Sequence, residues 1–330
     1  MFKLVILSII MISVGIALLP HIVYAVAKLL SFVFHFHVTY RPFGYTALAL
    51  VGIWILMFLW GHCFGRFFHE IKPIEIACKG VPEAFKGYKI VHISDLHLDG
   101  WAGKEAKLSE IVSEINAQNP DAIVFTGDLI SLDKEELRPL IPVLKGLKAK
   151  DGVISIMGNH DYIPYNRSLT DRQRNAAITE LQRMEREDLG WNLLLNENTI
   201  LRRGADSIAV IGCENKSMGV HNVVSRGDLD KAMKGTEGMF HIILTHDPTH
   251  WRGEIVGKES AAGNSSLTLS GHTHAAQFRI LDFSFARFVY KEYDGLYVEG
   301  VQKLYVNIGL GGTMPMRVGA RPEITVITLR

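Results

Sequence analysis

The stretch KIVHISDLH, Lys89–His97, is a short run rich in β-branched residues that ends in Ser94 and then sets an acid and an imidazole two residues apart. Its length and composition predict a buried strand, with Asp95 and His97 at the carboxyl end. Two runs of the same kind follow, DAIVFTGD at Asp121–Asp128 and GVISIMGNHD at Gly152–Asp161. Between them, Gly103–Gln118 and Asp133–Leu147 carry apolar residues at helical spacing. Strands alternating with helices of that length predict a layered α/β architecture.

Further along, a charged helix is expected over Thr170–Asp188, then hairpin-like strands at WNLLLN (191–196), NTILRR (198–203) and SIAVIGCE (207–214). A helix near Asp228–Lys234 and strands at FHIILTH (240–246), SLTLSG (266–271), LYVN (304–307) and EITVITL (323–329) complete the pattern. Two sheets packed face to face with helices outside is the simplest arrangement. No internal repeat is evident.

The amino-terminal part is of another kind. Leu4–Ala27 and Phe43–Phe64 contain no ionised side chain, and each is long enough to cross a hydrocarbon core of roughly 30 Å. Two spans are expected, or three if Pro20 separates a short crossing from a second one. A cleaved signal peptide is the alternative for the first run, because Ala25–Ala27 has the small-residue look of a cleavage site. Lys3, Lys28, Arg41, Arg66, Lys72 and Lys79 put positive charge on both sides of every span, and the weak preference is for a cytoplasmic catalytic part in a multi-pass cell-membrane protein. The expected domains are therefore 1–68 for the membrane region, 69–87 for a linker with a leading strand, and 88–330 for the catalytic part.

Composition narrows the partners. With 35 Lys and Arg against 34 Asp and Glu there is no basic stripe, so nucleic acid is not implied. Cys63, Cys78 and Cys213 are too scattered for a disulfide framework or a zinc knuckle. Nothing in the sequence fixes an oligomeric state.

Each strong strand ends in potential metal ligands: Asp95 and His97, Asp128, Asn159 with His160 and Asp161, His246 with Asp247, and His272 with His274. Taken singly, these read as caps and turn residues. Together, after five apolar strands whose carboxyl ends converge in an α/β fold, they read as one site. Oxygen and imidazole donors without cysteine suit divalent ions, Mn²⁺ first, with Fe, Zn or Mg as alternatives. Asp95, His97, Asp128, Asn159, His246, His272 and His274 are too many for one tetrahedral ion and suit two ions sharing a bridging carboxylate.

In this order the blocks resemble the calcineurin-like metallophosphoesterase superfamily: Asp-x-His, Gly-Asp, Gly-Asn-His-Asp, a lone His, and Gly-His-x-His, over Tyr88–Arg330. The closing run at Val306–Leu329 is similar to the membrane-associated bacterial phosphodiesterase branch, which includes enzymes cleaving nucleotide-linked lipid A precursors. The resemblance implies a four-layer α-β-β-α sandwich of two mixed sheets. It also implies one ion on Asp95, His97 and His274, the other on Asn159, His246 and His272, and Asp128 bridging both.

Two cations about 3.5–4 Å apart lower the pKa of a bridging water and neutralise phosphoryl oxygens, so a metal-bound hydroxide can attack in line. His160 is the candidate to protonate the leaving alkoxide, with Asp161 expected to orient it. Arg167 and Tyr162 are candidate substrate contacts. Phe278–Tyr293, FRILDFSFARFVYKEY, reads either as a lipid-facing lip beside the site or as a half-buried edge strand.

The expected function is hydrolysis of a phosphodiester or pyrophosphate bond in a lipid-linked or cell-envelope substrate. A non-catalytic scaffold or metal-binding module with the same fold is the alternative. One departure stands out: relatives commonly carry glycine after the last histidine, where this chain has Ala275 and Ala276. If the backbone is left-handed there, a Cβ introduces strain.

Overall fold

The structure, a computed structural model, describes residues 2–219 and 224–330. Its residues fall into two compact units, 1–67 with 314–318 and 68–313 with 319–330.

The first unit holds helices α1 (Phe2–Phe34) and α2 (Arg41–Trp60). Pro20 lies inside an unbroken α1, so the expected separation into two helices at that residue does not occur. The side chain of Lys3 lies outside the described residues. Trp54 Nε1 donates to Ser13 Oγ at 3.0 Å, and Tyr24 meets the rings of Tyr40 and Phe43. Ile10–Phe34 and Arg41–Gly65 are each 25 residues long and apolar enough to cross a membrane. Only 6% and 17% of their most apolar windows are buried, so neither is a covered core helix.

The second unit is built on two six-stranded sheets. One contains β1 (Glu70–Ile76), β2 (Lys89–Ile93), β3 (Ala122–Phe125), β4 (Val153–Ser155), β5 (Asn192–Leu193) and β12 (Glu323–Leu329), in the order β1-β12-β2-β3-β4-β5. The other contains β6 (Glu197–Arg203), β7 (Asp206–Gly212), β8 (Phe240–Leu244), β9 (Ser266–Ser270), β10 (Gly295–Glu299) and β11 (Gln302–Val306), in the order β10-β11-β9-β8-β7-β6. Strands β2 to β5 are mutually parallel and β12 runs against β2. In the second sheet β7, β8, β9 and β11 are parallel, with antiparallel β6 and β10 at the edges. Both sheets are thus mixed.

Alternation along the strands fixes the layers. Ile90, Val124 and Ile154 of one sheet pack with Val210, Ile242 and Leu267 of the other in a shared core. The opposite face of the second sheet buries Ala209, Ile211 and Ile243 with Leu229 of helix α6 (Leu229–Met233) and with Trp251 and Ile255, which lead into α7 (Val256–Ala261). On the first sheet, Val91, Ile93, Ile123 and Phe125 are buried, as are Leu108, Ile111 and Ile115 of α3 (Glu105–Ala117) and Ile178 and Leu181 of α5 (Asp171–Arg183). This is the expected four-layer sandwich.

Local chemistry altered three expectations. The helix expected over Asp133–Leu147 is broken into 3₁₀ turns at 134–136 and 138–140 and a single turn α4 (Ile141–Leu144), because Pro139 and Pro142 lack the N–H a continuous helix needs. Residues 191–196 supply only the two-residue β5, which pairs with β4 in the first sheet and forms no hairpin with β6. The stretch from Phe278 forms no edge strand: Ile280 and Phe283 close a tight turn and Phe285–Phe288 is a 3₁₀ turn.

Candidate functional site

The ligand candidates sit just past the carboxyl ends of parallel strands, β2, β3 and β4 in one sheet and β8 and β9 in the other. Several depart from the strand by a left-handed backbone: φ is 51° at Asp95, 45° at His97, 57° at Asp128, 77° at His272 and 49° at His274. Such conformations cost free energy in non-glycine residues and persist where surrounding contacts impose them. Glycines let the loops approach: a methyl on Gly271 would collide with Ser94 Oγ and Asp95 Oδ2, and one on Gly158 with the Asp128 carboxylate.

Two sets of donors result. Asp95, His97 and His274 form one, with His97 Nε2 3.3 Å from His274 Nε2 and His274 Nε2 3.5 Å from Asp95 Oδ1. Asp128, His246 and His272 form the other, with His246 Nε2 3.2 Å from Asp128 Oδ2 and 3.1 Å from His272 Nδ1. Asp128 also lies 3.5 Å from His97 Nε2 and joins a third grouping with His97 and His160.

The donors fit divalent ions. Asp95 Oδ1 and Asn159 Oδ1 are buried without a hydrogen-bond partner, an expense that a cation on those oxygens would offset. His246 Nδ1 donates to the Thr126 carbonyl at 2.8 Å, which directs Nε2 at Asp128. Thr273, between the two histidines, turns away and donates to the Tyr293 carbonyl.

Charge is concentrated here. Burial pushes the Asp95 carboxyl up to about 6. Burial opposes the charge on His246 and Asp128, yet their attraction prevails, lifting the imidazole to about 10 and holding the carboxyl well below the usual range. His272 is lowered to about 4, chiefly by burial.

His160 stands beside this centre, its ring 4.8 Å from that of His97. Its Nδ1–H donates to the Ser131 carbonyl at 2.7 Å, so Nε2 is the nitrogen left for chemistry. Asp161 has another task than the expected one. Its buried carboxylate accepts the backbone N–H groups of Asp128, Leu129, Ile130 and Gly158 at 2.8–3.1 Å. It thereby ties the loops after β3 and β4 together, while Ser131 orients His160.

The substrate candidates are also redistributed. Tyr162 is buried, donates to Glu214 at 2.8 Å and carries the Arg226 guanidinium over its ring, so it is a packing residue. Arg167 is exposed on the following loop. Tyr165, half exposed, is the tyrosine whose ring meets His160 at 4.5 Å and whose hydroxyl accepts from Asn159 Nδ2. Tyr290, which sequence reasoning did not single out, holds its hydroxyl 3.0 Å from His272 Nε2, and Asp247 Oδ2 lies 3.7 Å from the same nitrogen. The aromatic richness of 278–293 was visible, but no spacing rule joins Tyr290 to a histidine 18 residues earlier.

Imidazole-carboxylate sets gathered at the carboxyl ends of parallel strands in a two-sheet sandwich fit a metal-dependent hydrolase of phosphoesters. The chain belongs to the calcineurin-like phosphoesterase family, whose model matches residues 88–276. YkuE, an uncharacterised metallophosphoesterase of Bacillus subtilis, is 31% identical over 82% of this chain and 90% of its own length. A transmembrane protein with metallophosphoesterase domain from Danio rerio is 32% identical over 79% of this chain, which spans 57% of that protein. The UDP-2,3-diacylglucosamine pyrophosphatase LpxG of Chlamydia muridarum is 27% identical over 73% of this chain and 83% of its own.

Proposed function

We propose that this chain is a membrane-anchored, dinuclear phosphoesterase that hydrolyses a phosphodiester or pyrophosphate bond in a lipid-linked substrate. The observation that carries the reading is the position of Asp128, whose Oδ2 lies 3.5 Å from His97 and 3.2 Å from His246, one histidine from each donor set. Asp95, His97 and His274 would hold one ion, Asn159, His246 and His272 the other, and Asp128 would bridge them. When bound, two divalent ions, Mn²⁺ by preference for this oxygen and nitrogen set, supply an acidified water and neutralise phosphoryl charge.

The chain's own residues do the rest. Thr126 and Tyr290 fix the orientation of His246 and His272. His160, with Nδ1 engaged by Ser131, carries on Nε2 the proton that the leaving alkoxide takes. Tyr165 stands over His160 at the mouth and confines the ester. Arg167 on the same loop is the nearby candidate for a bidentate phosphate contact.

The lipid-linked substrate is favoured by the two bilayer-length helices and by the likeness to a UDP-2,3-diacylglucosamine pyrophosphatase. Two crossings put the amino terminus and the catalytic unit on the same side, read here as cytoplasmic. The test is hydrolysis by the purified full chain with Mn²⁺ of bis(p-nitrophenyl) phosphate and of a dialkyl phosphodiester. The loss of His160 is read on the dialkyl ester, because its alkoxide, unlike p-nitrophenolate, needs a proton to leave. His160→Gln is expected to lower kcat about 10²–10⁴-fold with metal binding intact, and Asp128→Asn to lower metal affinity and rate together. Wild-type rates in both variants would sink the assignment.

A further inference from the structure

Residues 280–289 form an ordered loop that exposes its apolar side chains. Leu281 is 90% exposed and Phe288 74%, and Ile280, Phe285 and Val289 are about half exposed. The loop is not slack. Ile280 and Phe283 exchange two backbone hydrogen bonds at 3.0 Å. Phe283 makes ring contacts with Phe285 and Phe288, and Phe278 with Phe285. Ser284 is fully buried and donates to the Ala275 carbonyl at 2.6 Å, while Ala286 is tucked beneath. The loop ends at Tyr290, on His272.

Contiguous exposed apolar side chains held in one conformation mark a surface that has a partner. The ionised groups around them select among partners. Arg279 is paired with Asp294, which leaves Asp282, Arg287 and Lys291 as the exposed charges, a net positive rim around an aromatic tip. Aromatic and aliphatic tips flanked by Arg and Lys suit the interface of an anionic bilayer, where the rings sit at headgroup level and the cations meet phosphates. In the membrane-anchored reading the tether to the bilayer is short. Only residues 66–69 separate Gly65, the end of the second bilayer-length helix, from Glu70, the start of β1. The five residue steps from Gly65 to Glu70 span at most about 18 Å.

We propose that the 280–289 loop is a membrane-dipping lip that enters the headgroup region of an anionic bilayer, so that a lipid-borne phosphoester reaches the metal centre past Tyr290 without leaving the membrane surface. The inference rests on the membrane-anchored reading above.

The experiment uses the full chain in vesicles of phosphatidylglycerol and phosphatidylethanolamine. An environment-sensitive fluorophore is placed at Leu281→Cys, or at Lys148→Cys as an exposed control, in a Cys63→Ser background. Spin-labelled phospholipid is expected to quench the Leu281 probe several-fold more than the Lys148 probe, with an accompanying blue shift. The double variant Leu281→Ser/Phe288→Ser is expected to keep wild-type turnover of the soluble aryl diester and to lose tenfold or more on a vesicle-borne phosphodiester. A chain that does not co-float with vesicles overturns the anchored reading and the lip with it. Co-flotation with equal quenching at the two positions overturns the lip alone. A blue shift without lipid quenching, lost on dilution of the protein, assigns the face to a second copy of the chain and overturns it too.

Discussion

At the level of single residues, the turn that carries the last histidine is the most strained part of the catalytic unit. His274, Ala275, Ala276 and Gln277 have φ of 49°, 47°, 52° and 53°, a left-handed turn of four consecutive non-glycine residues. Each costs about 1–2 kcal/mol relative to a right-handed conformation. The turn aims His274 at Asp95 and presents the Ala275 carbonyl to Ser284, so the strain is held by contacts that also build the site. Ala276→Gly should stabilise the protein by about 0.5–1 kcal/mol, the relief of strain less the entropy glycine gains on unfolding. Denaturant unfolding checks this, and a destabilised variant would refute it. Ala275 is a poorer choice, because its methyl packs with Ile308 and Ala320. Tyr290→Phe tests the neighbouring contact: losing the hydroxyl on His272 should weaken binding of one metal ion about 10–100-fold with the fold intact, read by calorimetric titration. The departure from glycine after the second histidine was legible in the sequence. Left-handed backbone at Asp95, His97 and Asp128 was not, because it is imposed by hydrogen bonds between loops far apart in the chain.

At the level of elements, the site is a seam between two sheets whose strand ends must stay in register. Asp161 is the rivet of the first sheet: one buried carboxylate accepts four backbone N–H groups from the loops after β3 and β4. Asp161→Asn replaces one acceptor oxygen by a donor facing backbone donors. It should cost about 3 kcal/mol or more and lower metal affinity through Asp128 and Asn159, while Asp161→Glu should fail to rescue. A variant with wild-type unfolding midpoint and metal binding would show the clamp to be dispensable. Strand existence was readable from apolar runs, and the positions of Asp95, Asp128, Asn159, His246 and His272 followed from it. What failed was the assignment of continuity: prolines divided the helix at 133–147, and apolar periodicity alone drew 191–196 as a hairpin arm. Asp161 and Tyr162 were placed by adjacency to His160. A 3₁₀ turn at 160–162 sends the three side chains to Ser131, to backbone amides and to Glu214.

For the whole molecule, the same burial that builds the seam makes stability sensitive to acid. His92 of β2 is fully buried: its Nε2–H donates to Thr126 Oγ1 at 2.9 Å, Nδ1 has no partner, and its ring meets Tyr305 edge-on. Burial lowers its pKa to about 3. The unfolded chain binds a proton here near pH 6.5 and the folded chain does not until about 3, so between those values the unfolded state holds more protons and stability rises with pH. The contribution is therefore complete above about pH 6.5 and is lost progressively as pH falls toward 3. At pH 5 the loss from this one residue is about 2 kcal/mol relative to pH 7. His250, also buried and lowered to about 4, adds to the same trend. Denaturant unfolding of the full chain in detergent, followed by near-ultraviolet circular dichroism at pH 7 and pH 5, measures the difference. His92→Gln removes the titrating group and should shrink the pH-dependent part of the stability by about 2 kcal/mol, whatever its own effect at pH 7. Because every other titrating group is common to the two proteins, subtracting the two pH differences isolates His92. An equal loss in wild type and variant would mean that His92 takes up its proton without unfolding, and that the seam between the sheets admits charge.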